Sequence, residues 1–224
     1  MSLSLRPDGH VDLADAFDLA LAIKSTDSEK ALVNNDFRLF GPERIFVVTG
    51  PNQGGKTTFA RTIGQCAYLA SLGCPVPAAR ARFTLPDQIY THFERQETLS
   101  ILHGRLEDEL VRIHDILSRA TAASLIIMNE SFSSTTLSDA LLIGTEIIER
   151  IVKLGCTAVY VSFLDDLAGL NQACVSMVGE VAPDDPARRT FKFTRRPADG
   201  LAYAAALATK YGLNHDALLR RINQ

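Results

Sequence analysis

Hydrophobic positions along this chain fall into two alternating rhythms. Short unbroken apolar runs at Arg44-Ile45-Phe46-Val47-Val48, Ser124 to Met128 and Thr157 to Val161 read as buried strands, with shorter strands at Phe37 to Phe40 and Gln88 to Phe93. Thr57 to Leu72, Leu99 to Leu117 and Ser138 to Leu154 instead carry apolar residues at helical spacing. The second of these helices places Leu102, Leu106, Leu110, Ile113 and Leu117 on one face, with Glu107, Asp108, Glu109 and Arg112 largely outside it. Val11 to Lys24 reads as a weak helix, and Ala202 to Ile222 as a helix in two pieces broken near Tyr211-Gly212-Leu213. Ser25 to Glu29, Asn34-Asn35-Asp36, Gly41-Pro42 and Gly73-Cys74-Pro75-Val76-Pro77 punctuate the pattern as connections and turns. Strands alternating with helices predict an α/β fold, with a mostly parallel central sheet flanked by helices and a C-terminal helical tail.

Composition narrows this picture slightly. A chain of 224 residues that is 46% hydrophobic can bury one sizeable α/β core, with room for a small appendage. The net charge of −3 carries no global basic signature, so any contact with DNA must come from local patches or from regions outside this chain. Cys66, Cys74, Cys156 and Cys174 form no C-x-x-C pair, and the histidines form no H-E-x-x-H. They are expected as reduced, mostly core thiols of a cytoplasmic protein without a zinc site. No apolar run has the length of a membrane span, and Met1 to Arg6 lacks a signal-peptide pattern.

The richest chemistry lies between the second strand and the helix that follows it. Gly50-Pro51-Asn52-Gln53-Gly54-Gly55-Lys56-Thr57-Thr58 meets the phosphate-loop spacing G-x-x-x-x-G-K-[ST] in the strand–loop–helix context that gives the motif its meaning. The glycines let successive backbone N–H groups turn toward phosphates, and the helix N-terminus adds positive dipole. Lys56 would reach the β and γ oxygens of ATP, and Thr57 would offer its hydroxyl to Mg²⁺. A second constellation, Leu125-Ile126-Ile127-Met128-Asn129-Glu130, ends a buried strand in a polar pair, at the edge where α/β sheets hold ligands. Glu130 suits the polarisation of an attacking water. Asn129 stands where a carboxylate ordinarily holds Mg²⁺, and its amide oxygen supplies no charge to the ion.

These residues, together with Gly73 to Ala78 and Lys210-Tyr211-Gly212-Leu213, resemble the C-terminal ATPase domain of the MutS mismatch-repair family from about Asn34 to Gln224. The resemblance implies residues 1–33 as a partly helical lead-in, 34–200 as an ABC-type P-loop ATPase domain and 201–224 as a helical extension of it. It also implies nucleotide sites completed across a homodimer when ATP is bound, with Asn52 near the γ-phosphate and Asn35-Asp36 near the adenine edge. The chain departs from the family at Asn129, at Ser162-Phe163 in place of a Thr-His switch, and at Gly104-Arg105 in place of a Ser-Thr pair that reaches the partner's nucleotide. Phe163 cannot donate a hydrogen bond to phosphate and is expected to pack. Arg105 reads either as a cation offered in trans or as a solvated helix-start arginine. Ser133-Ser134-Thr135-Thr136 reads either as a loop crossing the dimer seam or as a polar cap. Because Glu130 keeps the water-polarising position, the chain is expected to be a slow ATPase, which the resemblance places in a DNA-processing protein that reaches DNA through regions outside this chain or through a partner. The alternative is a non-hydrolysing, ATP-dependent dimerisation switch.

Overall fold

The computed structural model describes residues 2–5, 11–25, 32–93, 104–198 and 200. In chain order these form strands β1 (Ser2–Leu5) and β2 (Val11–Ala16), helix α1 (Leu19–Ser25), strands β3 (Asn35–Leu39) and β4 (Ile45–Thr49), and helix α2 (Lys56–Ser71). Strands β5 (Arg80–Phe83) and β6 (Ile89–Phe93), helix α3 (Arg105–Arg119), strand β7 (Leu125–Asn129) and helix α4 (Leu137–Leu154) follow. The chain then runs through strand β8 (Thr157–Val161), a 3₁₀ turn at Asp165–Gly169, and strands β9 (Cys174–Ala182) and β10 (Asp185–Arg195).

The strands build a six-stranded sheet in the order β10-β9-β4-β8-β7-β6 and a four-stranded sheet in the order β1-β5-β2-β3. In the larger sheet the pairs from β9 to β6 are parallel and the β9–β10 hairpin is antiparallel. All five residues of β4 and of β7 are buried, which is why these strands read as continuous apolar runs. Their alternation divides them between two cores. Phe46, Val48, Ile127, Val159 and Val161 face α2 and the smaller sheet, whereas Ile45, Val47, Ile126, Met128 and Tyr160 belong with α3 and α4. Helix α2 therefore sits between the sheets. An aromatic column marks the layer: Phe37 of β3 stacks on Phe59 of α2 with centroids 4.2 Å apart, and Phe59 meets Phe193 of β10 at 4.5 Å.

The weak helix expected over Val11 to Lys24 is instead strand β2 followed by the short helix α1. Its alternation is real: Leu13 pairs with Phe37 and Ala81 on the buried face, while Asp12 sits opposite Arg38 and Arg82 on the other. The buried face sets that register, and opposite charges on adjacent strands support it. The apolar pattern does not reveal strands β1, β5, β9 and β10, and bulges interrupt β10 twice and blur its period. On α3, Glu109 is buried and Leu110 is exposed, the reverse of the expected faces. Leu99 and Leu102, the C-terminal helical tail and the Lys210 to Leu213 motif lie outside the described residues. No described helix is long and apolar enough to cross a membrane. Cys66 and Cys156 are buried and Cys74 and Cys174 half-buried, all as free thiols.

Because Phe59 joins both sheets, Phe59→Ala should lower unfolding free energy by about 3–5 kcal/mol. Urea denaturation measures this, and a loss under about 1 kcal/mol would show that α2 is held without the aromatic column.

Candidate functional site

Strand β4 delivers the chain to the edge of the sheet, where glycine geometry shapes the loop. Gly50 has φ +117°, and a Cβ there would stand 2.8 Å from the backbone N and 3.0 Å from the O of Gly179 on β9. No side chain fits that approach. Gly55 has φ +90° directly before α2, and the Gly54 N–H donates to Pro51 O at 3.1 Å to close the turn. Pro51 and Gly54 are buried, whereas Asn52, Gln53 and Thr57 are exposed and Thr58 is half-buried.

Lys56 is drawn back under this loop. Its side chain is 4% exposed, and the ammonium donates to Gly50 O at 3.2 Å, Pro51 O at 3.3 Å and Asn52 Oδ1 at 3.2 Å. Its Nζ lies 3.5 Å from Glu130 Oε1. Burial lowers the lysine below its ordinary pKa, and the Glu130 carboxylate opposes that shift. The two residues expected to carry the chemistry thus meet from the ends of different strands.

Glu130 follows β7 with φ +52°, its N–H held by Val161 O at 3.0 Å and its side chain 39% exposed. Asn129 is buried, and its Oδ1 accepts no hydrogen bond among the described residues. Thr49 Oγ1 and Ser131 Oγ, at the same strand ends, are buried without partners too. Orphaned polar atoms at a strand edge mark a place for water or an ion's hydration shell. The described residues hold no group of three or more His, Cys, Asp or Glu that could bind a metal. Mg²⁺ would fit such a site only as an ion that keeps waters and takes phosphate oxygens, with Thr57 and Asn129 as the residues that could hold it.

A cavity of about 440 Å³ opens beside the loop. Gln53, Gly55, Lys56, Thr57, Thr58 and Glu130 line it together with Leu21, Leu32, Val33, Asn35 and Phe191. Asn35 reaches it, but its amide is already engaged, donating to Phe191 O at 3.1 Å and accepting from Phe193 N–H at 2.9 Å. Asp36 does not reach the cavity. It is exposed on the other face of β3, accepting from Asp15 N–H at 2.9 Å and pairing with Arg38 at 3.3 Å.

The remaining candidates separate by exposure. Thr136 Oγ1 caps α4 by accepting from Asp139 N–H at 3.2 Å, and Thr135 bonds the same aspartate at 3.4 Å, so the polar-cap reading belongs to this pair. Ser133 and Ser134 are exposed, as is Arg105 at the first position of α3. Phe163 does not pack: it is 45% exposed, because Ser162 Oγ accepts from Leu164 N–H at 3.0 Å and the turn throws the intervening side chain outward.

Two residues at the loop escaped sequence reasoning. Arg189 donates to Asn52 O at 3.3 Å and, through its charge, adds to the lowering of Lys56. Phe191, 47% exposed at φ +60°, stands beside Gly55. Their only local signal is basic and aromatic character in Arg188-Arg189-Thr190-Phe191-Lys192-Phe193, within an unanticipated strand.

Residues 46–213 match the family described as MutS domain V. The chain belongs to the MutS family. The DNA mismatch repair protein MutS of Psychrobacter cryohalolentis is 34% identical over 131 residues, 58% of this chain and 13% of that protein. MutS of Thermotoga sp. strain RQ2 is 28% identical over 170 residues, 76% of this chain and 21% of its own length. The DNA mismatch repair protein msh-2 of Neurospora crassa is 34% identical over 140 residues, 62% of this chain and 15% of its own. This MutS-family chain thus spans about a fifth or less of these relatives.

Gly50→Ala combines a left-handed backbone with a backbone clash, and should cost about 3 kcal/mol or more. Gly73→Ala, at φ +71° with nothing within 4 Å of its Cβ, should cost about 1 kcal/mol. Equal losses on denaturation would mean that the Gly50–Gly179 approach is unimportant.

Proposed function

We propose that this chain is the ATP-binding and slowly ATP-hydrolysing domain of a MutS-like DNA repair or DNA-processing protein. Its fold is then the ABC-type P-loop class, with the nucleotide site completed across a two-fold homodimer. The observation that carries the reading is the buried Lys56 ammonium, gripped by neutral loop oxygens and Glu130 beside a cavity of nucleotide-accommodating size.

Phosphate oxygens are charged acceptors, and charge-assisted hydrogen bonds are about twice as strong as neutral ones. Lys56 therefore exchanges loop carbonyls for the β and γ oxygens when ATP enters. That exchange frees the Glu130 carboxylate, half-exposed and fixed by its backbone to β8, to orient and polarise the attacking water. Loop N–H groups and the α2 N-terminus complete the phosphate cradle. Thr57 and Asn129 would hold Mg²⁺ together with the phosphates, and the ion would supply positive charge to the phosphates. Leu32, Val33 and the face of Phe191 offer an apolar wall to adenine. The exposed Ser133, Ser134 and Arg105 are the groups offered to a partner's nucleotide. DNA is reached through regions outside this chain or through a partner.

The neutral Asn129 favours a second reading, in which ATP closes the dimer and is barely hydrolysed. Both readings require the loop. Lys56→Ala should weaken nucleotide binding by about tenfold or more in a fluorescent-nucleotide titration, whereas Glu130→Gln should bind ATP and sediment as a dimer that ADP does not support. Equal affinity in Lys56→Ala and wild type would reject ATP binding at this site.

Asn129→Asp separates the two readings. A carboxylate added beside a partly dehydrated divalent ion strengthens its binding. In a slow ATPase limited by its metal, the variant lowers the Mg²⁺ concentration for half-maximal turnover and raises turnover, each by about threefold or more. A non-hydrolysing switch leaves turnover flat across Mg²⁺ concentration in both proteins.

A further inference from the structure

Helix α3 carries a glutamate that its sequence pattern assigns to solvent, and the structure buries it. Glu109 is 2% exposed, and its Oε2 accepts from the backbone N–H of Phe132 at 3.1 Å. Its Oε1 lies 4.0 Å from Nε2 of the equally buried His92 on β6. The Tyr160 phenol belongs to the same interior, its pKa raised by burial and further by the Glu109 charge. A carboxylate withdrawn from water needs hydrogen bonds and paired charge to be tolerated.

The segment it grips is strained. Glu130 has φ +52° and Phe132 φ +65°, left-handed conformations that non-glycine residues seldom hold unless surrounding structure imposes them. Two anchors impose them here: Val161 O holds the Glu130 N–H, and Glu109 holds the Phe132 N–H.

We infer that Glu109 is a positioning residue for Glu130: by fixing the Phe132 amide it holds the left-handed turn that presents the Glu130 carboxylate to Lys56 and the nucleotide cavity. The inference rests on the proposed role of Glu130 toward the attacking water.

Three variants test it. Glu109→Met keeps length without an oxygen acceptor, Glu109→Asp keeps charge but withdraws the acceptor by one methylene, and Glu109→Gln keeps an acceptor at full length. Hydrogen–deuterium exchange across residues 130–136 should accelerate about tenfold or more in the Met and Asp variants and stay as in wild type in the Gln variant. In the same proteins kcat should fall about tenfold with nucleotide Kd within about twofold, and Gln should restore it. A role in stability alone would raise exchange evenly through α3, β6 and β7 and carry Kd with it, and that result overturns the inference. So does unchanged exchange at 130–136 in Glu109→Asp, which also decides the matter if Glu109→Met does not fold. A wild type that binds ATP without turnover would remove the hydrolysis reading, while the exchange measurement still decides the anchor.

Discussion

A primary ammonium removed from water loses hydration worth several kcal/mol, and the edge of the sheet is arranged around making good that loss for Lys56. Three loop oxygens and one carboxylate converge on its Nζ. The loop curls back over a side chain from its own end, so the cation sets the loop's shape as much as the glycines do. Its neutral partners leave that ammonium under-compensated, and burial lowers its pKa accordingly. An anion arriving at this point meets a preformed cradle and replaces existing hydrogen bonds. It does not have to order a floppy segment first.

That cradle is held still from beneath. Helix α2 begins at Lys56 and is enclosed between the two sheets, with Phe59, Ala60, Ile63, Cys66, Ala67 and Ala70 buried along it. A close-packed helix of this kind transmits displacement without absorbing it. The loop is fastened laterally as well, by the approach of Gly50 to Gly179 and by Arg189 on Asn52. Glu130 is fastened from β8 and α3. The site therefore draws on β4, β7, β8, β9, β10 and two helices, which explains how residues far apart in sequence keep fixed separations.

The legible parts of this fold were those where one physical signal dominates. Strands β4, β7 and β8 are buried on both faces, so their composition alone reveals them, and the loop announces itself by its glycine spacing, with no side chain fitting at Gly50. Strand β2 reads as helix because its alternation runs through small residues, Ala14 and Ala16, and is followed at once by a helix. Strands β9 and β10 were missed because Gly179 and the bulges erase their period. Glu109 had no local signal, since its burial is decided by His92, Phe132 and Tyr160 on other elements. Phe163 follows the same rule in reverse, its exposure being set by a turn that Ser162 makes. Asn129 and Glu130 were readable as a pair, but not the left-handed turn behind them.

Strand β10 ends the larger sheet and should present unpaired peptide groups to any passing chain, the situation that invites strand addition and fibrous association. At Phe191 and Phe193 those groups are already taken. The Asn35 side chain accepts from one N–H and donates to one carbonyl, so a single amide imitates the peptide of a neighbouring strand. The rungs beside it are bent by bulges and carry Arg188, Arg189, Lys192 and Arg195. The same irregularity that turns Phe191 toward the cavity thus makes the sheet's margin a poor template for copies of itself, and leaves the rim of that cavity closed to a foreign backbone.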